Sequence, residues 1–173
     1  PSPTTSSQPV RFLAGGNPHP ASHRAVSIEN DENGGLRHYP SLSMKHLTPK
    51  EAHAFLHTNT DAVFVDVRSE IEFFYVGHPV GAEHIAWQEP PDWEVQPEFA
   101  QHVKALVAGV KSRPVVLICR SGKRSVDAGK VLENSGFSDV YNVLHGFEGD
   151  LDENFHRGHK SGWRFDGLPW AQM

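Results

Sequence analysis

One cysteine, Cys119, closes the apolar run Pro114–Cys119 and opens the segment Cys119-Arg120-Ser121-Gly122-Lys123-Arg124-Ser125. Helix-like sequence follows, from Val126 to Asn134. A buried strand, a tight basic loop and a helix start together favour a thiolate. Loop N–H groups can converge on the sulfur, and the helix offers the positive end of its dipole. Arg120, Lys123 and Arg124 place three cations within five residues of it. Each of these effects favours S⁻ over SH, and the thiolate is the reactive form. A small apolar cysteine filling the end of a core strand would explain Cys119 but not the cations. The expected chemistry is nucleophilic, covalent catalysis at sulfur.

Several functions are excluded or constrained by composition. A chain of 173 residues, 38% hydrophobic and 21% charged, has room for one soluble domain with a real core plus extensions. Its net charge of −5 argues against a nucleic-acid binder, so the cations that matter are the local ones. A single cysteine permits neither an internal disulfide nor an internal resolving thiol, so any disulfide or persulfide chemistry involves a partner or a small molecule. No run approaches transmembrane length. Residues 1–10 lack the charged and apolar regions of a secretory signal. A cytoplasmic and a periplasmic setting both fit. The twelve histidines show no metal-ligand spacing, and neither a metal nor another cofactor is expected. The default oligomeric state is the monomer.

The elements that must position Cys119 follow from pattern. Residues 1–43 are rich in Pro, Ser, Thr, Gly and Asn, and read as a flexible or extended arm. The domain is expected over 44–173. Thr48-Pro49 with Glu51 is an N-terminal helix signature running to about His57. Ala62–Val67 reads as a buried strand. Ser69 to Tyr75 reads as a short helix capped by Ser69, Gly77 to Gly81 as a turn, and Ala82 to Ala86 as a short strand. Trp87 to Pro97 reads as a loop. Pro97-Glu98 opens a helix through Val107, with Phe99, Val103, Leu106 and Val107 on one face. After the strand Val115–Cys119 comes a helix from Ser125 to Ser135, with Gly136 as its C-cap, then a strand Asp139–Val143. This alternation predicts an α/β fold, a small parallel sheet with helices on both faces. Cys119 falls at the carboxyl end of a strand, where such sheets carry their sites.

In order along the chain, these residues resemble the single-domain rhodanese sulfurtransferases. Val65-Asp66-Val67-Arg68 with Glu70, Glu72 and Phe73 is similar to one motif of that family. Gly77–Ile85 is similar to a second, with its proline, Pro79, one position early. Cys119–Ser125 closely matches the active-site loop. Val140–Gly146 resembles the final strand and glycine turn, and Gly162-Trp163 with Gly167-Leu168-Pro169 the closing segment. Phosphatases of the same fold carry one more residue between cysteine and arginine. The shorter loop here makes a tighter cradle, better suited to one extra sulfur atom than to phosphate. The resemblance implies that Cys119 takes sulfur from a small anionic donor such as thiosulfate and becomes a persulfide. Cyanide, or a thiol such as a protein thiol, then accepts it. Backbone N–H groups of residues 120–125 would stabilise the anion.

Against that chemistry, Arg120 and Lys123 are candidates to pair with an anionic donor. Arg124 is a candidate to hold the loop's shape by pairing with a carboxylate. Gly122 supplies unusual backbone dihedrals. Ser121 and Ser125 are candidate donors to sulfur, and Ser125 equally fits the N-cap of the next helix. Asp66 and Arg68 at a neighbouring strand end read as a structural pair, and His78 as a turn residue. The segment between Gly146 and Trp163 is longer than the family's, so residues 147–161 form an insertion expected to border the site or to be an inert surface loop. Three other readings stay open: a persulfide carrier between protein partners, an arsenate reductase or phosphatase of the same fold, and a non-catalytic regulatory module.

Overall fold

The structure, a computed structural model, describes residues 26–30, 36–40 and 43–173. Residues 42–173 form one compact unit and residues 1–41 another. In the first of the chain, β1 (Val26–Asn30) and β2 (Leu36–Pro40) pair antiparallel. The sequence reading placed no strands there, and the rest of the expected arm lies outside the described residues.

In residues 42–173 a five-stranded parallel sheet has the order β3 (Lys45–Leu47), β10 (Val140–Val143), β9 (Val115–Ile118), β4 (Val63–Asp66) and β6 (Glu83–His84). Helix α1 (Pro49–Thr58) covers one face; α2 (Phe99–Leu106) and α3 (Arg124–Asn134) cover the other. Strand residues alternate between the two cores. Val65, Val115 and Leu117 pack with Phe99, Val103, Ala128 and Leu132. Phe64, Val116 and Ile118 pack with Ala52, Tyr141 and Trp163. Cover on both faces is why β9 reads as an unbroken apolar run. Each of its four side chains is fully buried, which stabilises the fold by about 2 kcal/mol apiece.

Helix α1 starts as its sequence signature requires. Glu51 N–H donates to Thr48 Oγ1 at 3.3 Å, and Thr48 N–H donates to the Glu51 carboxylate at 2.8 Å. Gly136, with φ +89°, follows the end of α3.

Elsewhere the structure corrects the expected boundaries. The segment after β4 is a wide π-helical turn over Glu72–Val76 rather than an ordinary short helix. Ser69 does serve its start: its N–H and hydroxyl donate to the Glu72 carboxylate. The proline-rich stretch holds a small hairpin of β7 (Gln88–Glu89) and β8 (Glu94–Val95). The strand β5 (His78–Pro79) pairs with β11 (Trp170–Ala171), binding the chain's end to the turn before β6. Two-residue strands carry too few residues for a period, which is why pattern alone misses them.

Candidate active site

Cys119 follows β9 directly, at the carboxyl end of the sheet's central strand, and is 1% exposed. The chain then turns through Gly122, whose φ of +85° is a left-handed conformation suited to glycine, and enters α3 at Arg124. This turn carries the Gly122 N–H back to Cys119 Sγ at 3.1 Å. Ser125 Oγ lies 3.2 Å from the same sulfur. Ser125 is therefore not the cap of α3; Lys123 holds that position, and Ser125 sits fully buried in the first turn. Among the described residues, Gly122 is the loop position whose backbone N–H reaches Sγ. The expected convergence of the loop's N–H groups on the thiol thus reduces to that one, plus a hydroxyl and the helix end.

The loop cations have divided roles. Arg120 and Lys123 are exposed. Arg124 is bidentate on Glu72, with Nη1 at 2.8 Å and Nη2 at 2.6 Å. Burial works to raise the Glu72 carboxyl. The Arg124 hydrogen bonds and charge, with the Ser69 N–H and hydroxyl, more than offset this and bring it down from 4.5 to about 2. Arg124 is lowered by burial but held above its ordinary value by Glu72, with Cys119 and Asp66 adding to the effect. A carboxyl whose folded pKa is depressed contributes stability at pH above its ordinary value and loses it as pH falls towards the folded one. The loop clamp should therefore release between about pH 4.5 and 2. Glu72→Gln should remove that acid transition and lower stability at neutral pH by about 2 kcal/mol, the scale for a part-buried bidentate pair. Urea unfolding of the variant and the parent across this range checks it.

Asp66 and Arg68 are both 0% exposed and form a clamp. The Asp66 carboxylate accepts from Arg68 N, Nε and Nη2, and Nη2 also donates to the Gly77 carbonyl at 2.6 Å. Their hydrogen-bonded side-chain partners are thus each other and the turn before β6. His78 Nδ1 meets the Phe73 carbonyl at 3.0 Å and its ring stacks on Phe73, which makes it a turn residue. Ser121 is half-buried, with no side-chain bond to the sulfur among the described residues.

The segment after β10 grips the loop from behind. Phe147 N–H donates to the Cys119 carbonyl at 2.7 Å and Glu148 N–H to the Arg120 carbonyl at 2.9 Å. Gly146, at φ +59°, packs against the Cys119–Ser121 backbone so closely that a Cβ there would overlap it. The insertion then closes on itself. Gly149 and Gly162 are in backbone contact, and Trp163 N–H donates to the Gly146 carbonyl at 2.9 Å. This is an Ω-type loop with a pinched neck. The neck borders the Cys119 loop. Within it, Arg68 Nη1 and Glu148 Oε1 face each other at 3.8 Å, both buried and without hydrogen-bond partners. Burial pushes the Glu148 carboxyl up, while Arg68 pulls it down.

His145, just before the insertion, bonds Asp150 at 2.6 Å, while within the insertion Asp152, His156 and His159 bring ligand atoms within 4.8 Å of one another. Those three are the described residues able to hold a divalent ion. The cluster also closes without one: Asp152 Oδ1 accepts two backbone N–H groups and Oδ2 meets His159 Nδ1.

Two residues of the site escaped the sequence reading as site residues. Glu72 was legible as a Ser69-x-x-Glu72 cap but not as the partner of Arg124, fifty-two positions away. Asn142 accepts from Ser125 Oγ at 2.6 Å. Its signal was a polar residue inside a short, otherwise buried strand, β10.

Comparison with known proteins agrees with this architecture. A family model described as the rhodanese-like domain matches residues 48–153. The chain is 33% identical over 104 residues to the thiosulfate sulfurtransferase GlpE of Stutzerimonas stutzeri, covering 60% of this chain and 82% of that one. It is 28% identical over 132 residues to an uncharacterized protein of Rickettsia conorii, covering 75% and 98%. The crystal structure of Rv0390 from M. tuberculosis aligns with a TM-score of 0.67 at 38% identity, covering 76% of this chain and all of that one. The polysulfide-sulfur transferase of Wolinella succinogenes aligns with a TM-score of 0.51 at 25% identity, covering 75% and 80%. No described helix is long and apolar enough to cross a membrane. With the family model spanning more than half the chain and carrying the Cys119 loop inside the match, this protein belongs to the rhodanese-like family.

Proposed function

We propose that the protein is a sulfurtransferase that moves sulfane sulfur from a small anionic donor, thiosulfate by default, to a thiophilic acceptor through a persulfide on Cys119. The Cys119 thiolate attacks the outer sulfur of thiosulfate. A new S–S bond forms, the old one breaks, and sulfite leaves with its electron pair. The acceptor, cyanide or a thiolate, then attacks the terminal sulfur and releases the Cys119 thiolate. The Gly122 N–H, the Ser125 hydroxyl and the N-terminal end of α3 favour the anionic forms. No general base is needed if the thiol is already ionised.

The observation that carries this reading is the commitment of Arg124 to Glu72. A phosphatase or arsenate reductase of this fold needs its loop arginine on the oxyanion. Here that guanidinium is already bidentate on a carboxylate, and the loop is one residue shorter. Arg120 and Lys123 remain as exposed cations to meet the donor. Their joint replacement by alanine should raise KM for thiosulfate about tenfold with kcat little changed, the pattern of lost ground-state binding. Steady-state kinetics with thiosulfate and cyanide test this. Phosphate-ester hydrolysis without thiosulfate turnover would overturn the reading.

A second reading, a persulfide carrier serving protein partners, is favoured by exposed apolar side chains near the loop. Ile71 is 59% exposed and Tyr75 74%, on the turn that bears Glu72. Half-exposed Trp93 lies with its ring 5.9 Å from the Arg124 guanidinium. Such surface fits a protein better than an inorganic anion. Slow thiosulfate turnover beside fast transfer from a protein persulfide would select it.

A further inference from the structure

Every residue of β10 is buried, and Asn142 among them is 1% exposed. Its amide has two partners. Oδ1 accepts from Ser125 Oγ at 2.6 Å, and Nδ2 lies 3.1 Å from Nδ1 of His46, which sits opposite it in the β10–β3 ladder. Ser125 Oγ is also 3.2 Å from Cys119 Sγ. The four side chains thus form one hydrogen-bonded chain from an exposed histidine to the sulfur.

Ser125 has one hydroxyl proton and two acceptors for it. While Asn142 Oδ1 holds that proton, Ser125 offers the sulfur only a lone pair, which suits the S–H of a neutral thiol. A thiolate or a persulfide anion needs the proton itself. Turning the hydroxyl to sulfur with the amide unmoved strands a buried carbonyl oxygen, an unfavourable outcome. A half-turn of the Asn142 amide removes the conflict within the same volume. Nδ2–H then donates to Ser125 Oγ, and Oδ1 accepts from His46 Nδ1–H. His46 is exposed, so water can supply the ring tautomer this requires.

We propose that Asn142 is a positioning residue whose amide reverses between the neutral and anionic states of Cys119, turning the Ser125 hydroxyl proton onto the sulfur as its negative charge forms. The Ser125 proton stays on its oxygen throughout, and the thiol's own proton leaves to solvent. The proposal rests on Cys119 as the nucleophile and not on any particular donor.

The test reads thiol ionisation alone, so it stands apart from whether sulfur is transferred. Iodoacetamide alkylation of Cys119 is followed against pH in the parent, Asn142→Asp, Ser125→Ala and the double variant. Aspartate accepts but cannot donate, so it keeps the Ser125 proton from the sulfur. The other charged or titratable groups are Arg124 with its Glu72, the Asp66–Arg68 pair, Arg120, Lys123, Glu148 and, at the far end of the chain, His46, and they are common to all four proteins. Asn142→Asp should slow alkylation about tenfold below the thiol pKa, with rates converging once the thiol is fully ionised. In the Ser125→Ala background the same change should have less than about a threefold effect, because the two residues act through each other. An Asn142→Asp shift that persists in full without Ser125, or no shift at all, overturns the proposal. The parent protein gives a second readout that needs no variant. The Asn142 side-chain NH2 should show nuclear Overhauser contacts to the His46 ring in the thiol form and to Ser125 Hβ in the thiolate form. One unchanged set of contacts through the titration contradicts the reversal.

Discussion

Thiosulfate turnover should fall to background in Cys119→Ser, a loss of roughly four orders of magnitude, the scale expected when a covalent nucleophile is removed. The loss is chemical and not structural. A serine hydroxyl at this position keeps both partners of the sulfur, the Gly122 N–H and the Ser125 hydroxyl, so it is buried but satisfied. Its neighbours in the core are unchanged, and the melting temperature should hold within a few degrees. No helix end or nearby guanidinium ionises an aliphatic hydroxyl at neutral pH. Turnover in Cys119→Ser at even a hundredth of the parent rate, about 1% by the same scale, would place the nucleophile elsewhere.

The second large effect lies at a residue that touches no substrate. Gly146→Ala puts a methyl group into the backbone of Cys119, Arg120 and Ser121, at a left-handed φ of +59°. The backbone conformation alone costs about 1 kcal/mol, and overlap with peptide atoms held on both sides adds about 2 more. The melting temperature should drop by about 10 °C. The surviving folded molecules relieve the overlap by moving the loop, and a displacement of that kind lowers kcat by about a hundredfold. Gly167→Ala is the control. It has the same left-handed backbone, φ +69°, with nothing within 4 Å of its added Cβ. It should show the conformational cost without the loss of turnover, as thermal melting and steady-state rates will report. Equal losses of turnover in the two variants would mean that backbone strain, not contact with the loop, limits the site.

How much of this was legible in the sequence depends on the range of each interaction. The cap of α1, the apolar strand leading to Cys119 and the glycine of its loop are encoded within a few residues, and they stand where the pattern puts them; the C-cap of α3 is Ser135, and the left-handed Gly136 read as the cap is the residue after it. Arg124 could be read as a loop brace but not given its partner. Glu72 is brought to it by a wide turn whose π geometry leaves no mark in the hydrophobic period. Ser125 illustrates a local rule outweighed by position. Serine before a helix suggests a cap, yet α3 begins one residue earlier and the hydroxyl turns inward to sulfur and Asn142. Edge strand β3 carries a histidine and a lysine with one apolar residue, so no period marks it. It is a strand because its backbone completes the ladder of β10. The insertion was visible as extra length. Its pinched neck, made by Gly149 against Gly162, follows from backbone approach that spacing cannot reveal.

The most direct measurement is the intact mass of the protein after incubation with thiosulfate, beside Cys119→Ser. A gain of one sulfur atom is expected in the parent, lost on adding cyanide and absent from the variant. A parent protein that gains no sulfur from thiosulfate, 3-mercaptopyruvate or a persulfide donor would contradict it and leave Cys119 a buried thiol in a well-braced loop.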